Sequence, residues 1–171
     1  EITPQELHAL LPDLGRMDLR DRRIGLLAKL LAQCASVHNV ATMLLQEGGW
    51  DCSLVFFETI DVVGHHFMQY YPPRMEHVSE ADFERFRHVV PGVYELQDAM
   101  LGRLVELAGE ECTVVVLSDH GFHSDHLRPR VQAAVDDPHA AMDASWHRPH
   151  GMLVMSGPGV ARGAAVYGAG L

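Results

Sequence analysis

The sequence predicts an α/β fold in which helices cover the faces of a mostly parallel sheet. Apolar residues at helical spacing alternate along the chain with short β-branched runs, in the order helix, strand, helix, strand, loop, strand. Right-handed crossovers would then place the helices over the sheet. A chain of 171 residues with 47% hydrophobic residues is also long enough to bury one core.

The first fifty residues are predicted to form a helical lead-in to a single domain that spans residues 1–171. Apolar side chains recur there every three or four positions between Leu26 and Leu45. Gly48 and Gly49 end the pattern, as expected at a helix terminus. Residues 51–171 are predicted to hold the α/β portion of the domain.

Three short runs are predicted to be strands, at residues 52–60, 113–117 and 151–155. Each is rich in apolar residues, and the second contains three consecutive valines. Between the first two, Ser79 is predicted to cap a short helix at its amino terminus. Pro91 is predicted to divide that helix from a longer one.

Composition excludes several classes of protein. The formal net charge of −10 would repel a phosphate backbone, so bulk charge predicts no nucleic-acid partner. Cys34, Cys52 and Cys112 lie far apart in the sequence and predict reduced thiols, because they form no CxxC pair. No apolar run approaches the roughly 20 residues of a membrane span, and no signal sequence is visible. The chain is predicted to be soluble, and cytoplasmic rather than secreted.

Acidic and imidazole side chains lie at the ends of the predicted strands. The carboxyl ends of parallel strands meet at one edge of a sheet, where ligands gather. Each pair alone could be a turn-capping aspartate, a surface histidine or a solvated loop. Carboxylates and imidazoles together, without thiolates, suit Zn²⁺ or alternatively Mn²⁺. The candidate ligands are Asp61, His65, Asp119, His120, His147 and His150.

Four segments in this order resemble the type I phosphodiesterase and nucleotide pyrophosphatase family of the alkaline phosphatase superfamily. They are residues 55–65, a helix from Tyr94 to Gly102, residues 116–122 and residues 147–151. The Ser-Asp-His-Gly-Phe run at 118–122 is the most specific of them. The resemblance implies an alkaline phosphatase-like fold and a metal-dependent hydrolase of a small phosphorylated substrate. That substrate would be a phosphodiester, a nucleotide pyrophosphate or a phosphomonoester.

The resemblance further implies a site with two divalent metal ions. Asp61, His65 and a histidine of the last segment would hold one ion, and Asp119 and His120 would help to hold the other. His147 is favoured as that third ligand, with His150 as the alternative. For the substrate pocket the candidates are His123 and Phe67.

Members of this family also need a Thr or Ser nucleophile and a further aspartate near the start of the domain. Asp13, Asp18, Thr3 and Thr42 precede the first predicted strand, and none follows a buried strand as the family pattern requires. We therefore expect the amino-terminal part of the domain to lie outside this chain, and the chain alone to be inactive. The alternatives are a second chain that supplies the missing part, or a catalytically silent metal-binding or partner-binding domain of the same fold.

Overall fold

The structure, a computed structural model, describes residues 20–129 and 144–165 together with Pro12 and Gly15. Within these residues, four α-helices precede four strands, which is a mixed content of helix and strand. The helices are Arg22–Glu47 (α1), Thr59–Phe67 (α2), Glu80–Phe86 (α3) and Val89–Ala108 (α4). The strands are Val114–Ser118 (β1), Gly121–Phe122 (β2), His147–Arg148 (β3) and Met152–Ser156 (β4). Short 3₁₀ turns occupy Met68–Tyr70 and Ala144–Trp146.

Helix α1 confirms the predicted helix of the lead-in. The carboxylate of Asp21 accepts a hydrogen bond from the backbone N–H of Arg23 and so caps the amino terminus. The helix ends before Gly48, whose φ of 71° is a conformation that glycine adopts at little cost. Its buried side chains, among them Ile24 and Leu27, recur every three or four residues and face the core.

Helix α1 is also long and apolar enough to cross a membrane, by length and composition only. This is weak evidence for a span, because the core helix of a soluble protein passes the same test. Leu27 of α1 is fully buried in the main hydrophobic cluster. Only 28% of the apolar window of the helix is buried, and Val40 and Leu44 in its second half are 53% and 52% exposed.

The predicted strand at residues 52–60 is wrong for this structure. Residues 52–58 form neither helix nor strand, and Thr59 and Ile60 are already the first residues of α2. Leu54 and Phe56 are 94% and 80% exposed. A strand requires a neighbouring strand to pair with its backbone, which a local apolar pattern cannot supply.

Helices α3 and α4 follow the predicted pattern with a shifted boundary. Ser79 caps α3, since its hydroxyl accepts a hydrogen bond from the backbone N–H of Asp82. The break between the helices falls at Arg87 and His88, before Pro91. Pro91 lies in the first turn of α4, where a missing N–H costs no hydrogen bond within the helix.

Both strand pairs of the described residues are antiparallel. Val116 of β1 lies opposite Val154 of β4, and Phe122 of β2 lies opposite His147 of β3. The predicted mostly parallel sheet is therefore not confirmed. A parallel connection needs a crossover of about a dozen residues or more, usually a helix. The described residues between β1 and β4 hold instead the small β2–β3 ribbon and a 3₁₀ turn.

The core lies among the four helices, where Phe67 and Val63 of α2 and Phe86 of α3 are almost fully buried. Each such side chain contributes about 1.5–3 kcal/mol relative to an exposed position. At the rim, the guanidinium of Arg23 lies 4.4 Å from the centre of the Phe86 ring. It also pairs with Asp21 at 2.7 Å and with Asp82 at 2.8 Å, which ties α1 to α3.

A Gly151→Ala substitution should destabilise the fold. A methyl group at Gly151 would overlap the backbone carbonyl oxygen of Ser118, and backbone cannot move aside as a flexible side chain can. We expect the free energy of unfolding to fall by about 3 kcal/mol or more, measured by urea denaturation. Gly102→Ala is the matched control, because open space surrounds that helical position. It should raise stability by about 0.5–1 kcal/mol. Equal effects of the two substitutions would contradict the packing of Gly151 against Ser118.

The ion pairs of Arg23 predict a loss of stability in acid. The hydrogen bond from Arg23 lowers the pKa of Asp21 below its ordinary value of 3.8. Burial raises the pKa of Asp82, but hydrogen bonds from Arg23 and Ser79 outweigh it and the pKa is lowered. Because both folded-state pKa values lie below the unfolded ones, this stabilisation is present above pH 3.8 and is lost as the pH falls through them.

Asp82→Asn should therefore flatten the decline of stability below pH 4, with an effect of at most about 1 kcal/mol because the carboxylate is partly exposed. Thermal unfolding between pH 6 and pH 2.5 measures it. Glu106→Gln is the control, since Glu106 forms only an exposed helical pair with Arg103. An unchanged acid profile in Asp82→Asn would show that the Arg23 pairs do not set it.

Candidate metal centre

Helix α2 carries the first two candidate ligands on one face. Asp61 and His65 are four residues apart, a spacing that places side chains one above the other on a helix. The Oδ1 atom of Asp61 lies 3.7 Å from Nε2 of His65. The His65 side chain is almost completely buried.

The β2–β3 ribbon brings two more imidazoles to this face. Nε2 of His147, the first residue of β3, lies 2.9 Å from Nε2 of His65. The ring of His120, which precedes β2, stacks on the ring of His147 with centres 3.5 Å apart. The backbone N–H of His123 donates to the carbonyl of Trp146 and extends the pairing of the two segments.

One carboxylate oxygen stands at the centre of this group. Oδ1 of Asp61 lies 3.5 Å from Nε2 of His120, 3.7 Å from that of His65 and 3.8 Å from that of His147. The atom is buried and makes no hydrogen bond. These separations exceed hydrogen-bond lengths, but donors around a tetrahedral ion with bonds of about 2.1 Å lie about 3.4 Å apart. The separations around Asp61 therefore fit a divalent metal ion. Nε2 of His65 and Nε2 of His147 lie at a hydrogen-bond distance of 2.9 Å, so these two nitrogens would have to move apart to share one ion.

Asp61, His65 and His147 form the compact part of the group, with one donor atom from each within 4.8 Å of the others. This is the grouping predicted for the first ion. His150, the alternative third ligand, is exposed and lies outside the group. The structure thus brings the three donors together, while their role as ligands stays a prediction.

The predicted pair for the second ion is more open. The Asp119 side chain is 89% exposed, and its Oδ1 accepts a hydrogen bond from the backbone N–H of His120. His120 Nε2 lies 3.8 Å from Asp119 Oδ1 and 3.5 Å from Asp61 Oδ1. His120 therefore lies between the two predicted groups, and the second ion stays a prediction.

Comparison with known families gives one match. The model of the type I phosphodiesterase / nucleotide pyrophosphatase family matches residues 13–165. The chain belongs to this family. The resemblance based on the Ser-Asp-His-Gly-Phe run is thereby confirmed, and with it membership of the alkaline phosphatase superfamily. Members are metal-dependent hydrolases of phosphoric esters. No curated protein and no solved structure gives a significant match to the chain.

In this type I phosphodiesterase family member, Phe122 packs against the whole imidazole group. Its ring centre lies 5.1 Å from that of His65, 5.2 Å from that of His147 and 5.7 Å from that of His120, each in an edge-to-face arrangement. The absence of a side chain at Gly64 makes room for it, because a methyl group there would lie 2.7 Å from the Phe122 ring. In the sequence Phe122 stands out only as part of the Ser-Asp-His-Gly-Phe motif, and nothing there predicts this contact.

A cavity of about 310 Å³ adjoins Phe122 and is lined by aromatic and apolar side chains that include Met68, Tyr71 and Tyr94. Phe67, a predicted pocket residue, does not line it. Phe67 is fully buried in the core, where its ring contacts Tyr70 and Phe86, and its place in a substrate pocket stays a prediction. Nδ1 of His123 lies 3.9 Å from Oδ1 of Asp125. Its neighbours Phe122 and Ser124 line the cavity, and the pocket role of His123 stays a prediction.

Proposed function

We propose that the chain carries most of the two-metal site of a phosphoric-ester hydrolase. The substrate would be a phosphodiester, a nucleotide pyrophosphate or a phosphomonoester, and Zn²⁺ would be the preferred ion, with Mn²⁺ as the alternative. The observation that carries the proposal is the buried Asp61 oxygen, which lies among three imidazole nitrogens without a hydrogen bond. Membership of a family of metal-dependent hydrolases supports the same function.

Some residues of the proposed site would bind the ions, and others pack around the ligands. Asp61, His65 and His147 would hold the first ion, and Asp119 and His120 would contribute to the second. Bound divalent ions stabilise charge on phosphoryl oxygens and lower the pKa of an attacking hydroxyl. Phe122 shields the imidazoles from water on one side, which strengthens electrostatic interactions there. The adjoining cavity offers apolar surface for part of a substrate.

The nucleophile and the remaining aspartate ligand are proposed to lie outside this chain. The family chemistry uses a hydroxyl nucleophile that forms a covalent phosphoryl enzyme. Neither that hydroxyl nor the further aspartate can be assigned in this sequence by the family pattern, as described above. No general base among the visible residues is obligatory for such a reaction.

Zinc titration tests the unequal donor sets. Three donors can form a catalytic-type zinc site with an open position, whereas Asp119 and His120 supply only two. After dialysis we expect no more than about one equivalent of zinc per chain. His147→Ala should lose most of that zinc, and Asp119→Ala should lose less. His150→Ala is the matched control, because it removes an exposed histidine from the same segment and should leave occupancy unchanged.

Equal losses in His147→Ala and Asp119→Ala would mean that the donors are grouped differently. Loss in His150→Ala with full occupancy in His147→Ala would move the ligand role to His150. Elemental analysis together with circular dichroism separates loss of the ligand from loss of the fold.

Hydrolysis of bis(p-nitrophenyl) phosphate tests the proposed location of the nucleophile. A protein that contains the complete domain should be active, and the 171-residue chain should be slower by about 10³-fold or more. Activity of the complete domain should disappear with a chelator and return with Zn²⁺. Brisk metal-dependent turnover by the verified 171-residue chain would contradict the assignment. A complete domain that binds zinc but hydrolyses no phosphoric ester would favour the catalytically silent alternative.

A further inference from the structure

Arg128 is a buried arginine whose guanidinium grips backbone carbonyl groups. Its side chain is only 6% exposed. Nη2 donates to the carbonyl of Pro73 at 2.6 Å, and Nη1 donates to the carbonyls of Met68 and Tyr71. These carbonyls belong to the segment that directly follows α2, the helix of Asp61 and His65. Arg128 therefore connects the segment after α2 to the turn formed by residues 125–128.

A buried guanidinium destabilises the fold by its desolvation, so its role is to be found in the fixed directions of its N–H donors. Burying a cation carries a desolvation cost, which lowers the pKa of Arg128, and an apolar side chain of similar volume would avoid it. The planar guanidinium, however, presents several N–H donors in a rigid fork. It can therefore hold three carbonyl groups from two separate nitrogens, whereas an apolar side chain donates no hydrogen bond and a lysine donates from a single nitrogen.

Asp125 continues the link towards the third ligand segment. Arg128 Nε donates to its carbonyl at 3.2 Å, within the same turn. Its Oδ2 atom accepts a hydrogen bond from Nη2 of Arg148 at 2.6 Å, and its Oδ1 accepts from the N–H of Leu127. Arg148 directly follows His147 in β3. A continuous set of polar contacts thus runs from the end of α2 to β3.

We propose that Arg128 and Asp125 are positioning residues of the metal centre. They hold α2, which carries Asp61 and His65, at a fixed position relative to the β2–β3 ribbon, which contains His147 and directly follows His120. This relative position brings the donors together. The inference rests on the metal-binding function proposed above. Residues that orient ligands from outside the donor set commonly change metal affinity by about 10- to 100-fold when replaced.

The decisive variant of the full chain is Arg128→Lys. Lysine keeps the positive charge but cannot reach all three carbonyls, so the segment after α2 should shift against the ribbon. We expect the Kd for Zn²⁺ to rise about 10- to 100-fold while far-ultraviolet circular dichroism is unchanged. The visible absorption of bound Co²⁺, which reports donor geometry, should change as well.

Arg148→Gln gives an independent variant that is safe for folding, because the Arg148 side chain is half exposed. It breaks the pair with Asp125 and should weaken Zn²⁺ binding, and Arg148→Lys should restore part of the affinity. Arg103→Lys is the matched control. Arg103 pairs with Glu106 on the exposed side of α4, so this substitution should change neither affinity nor spectrum.

The metal-free chain provides a readout that does not depend on any ion. The stacked rings of His120 and His147 should shift each other's proton resonances, and Arg128→Lys should move these signals. Unchanged signals in Arg128→Lys would overturn the positioning role, with or without a change in zinc affinity. If the unmodified chain binds no zinc yet Arg128→Lys moves the signals, the positioning role stands and the metal-binding proposal is wrong.

Discussion

The burial of one Asp61 carboxylate oxygen among imidazoles is the constraint on which the site depends. The Asp61 side chain as a whole is 33% exposed, but its Oδ1 atom is buried and makes no hydrogen bond. A buried carboxylate oxygen without hydrogen bonds is costly, and three imidazole nitrogens surround this one at 3.5–3.8 Å. Such an atom requires compensating positive charge, which the divalent ion proposed above would supply. The donors come from one helix and from both sides of a short ribbon, so the tertiary fold, not any single motif, creates the requirement.

Packing around the donors is as specific as the donors themselves. Helix α2 can approach the ribbon because Gly64 has no side chain at the point where the Phe122 ring lies. That ring meets His65, His120 and His147 edge to face and limits how each imidazole can turn. The segment that directly follows β1 thus provides a candidate ligand, His120, and also Phe122, the ring that packs against the imidazoles.

Local features of the fold could be predicted from the sequence, and features that depend on distant partners could not. The end of α1 at Gly48 and the Ser79 cap follow from neighbouring residues and were predicted. Strands β1 and β4 were predicted to within one residue, but their antiparallel pairing depends on how the chain returns between them. The segment at 52–58 has a strand-like composition without a strand partner. Arg128 carried no sequence signal, because its role exists only through three carbonyls about 55–60 residues away.

Asp61 and His65 were predicted to lie close together because a turn after a strand would bring them there. In the structure they are close because both lie in helix α2. A turn after a strand could have aimed the two side chains at one point, but many turns would not. Helix α2 places residues four apart on one face whatever the surrounding fold does. Local structure alone therefore brings together two of the four side chains that meet at Asp61 Oδ1. The tertiary fold then needs only to pack one face of the β2–β3 ribbon against one face of α2. Phe122 contacts His65 of α2, and Arg128 binds the segment after α2, so both residues define this packing.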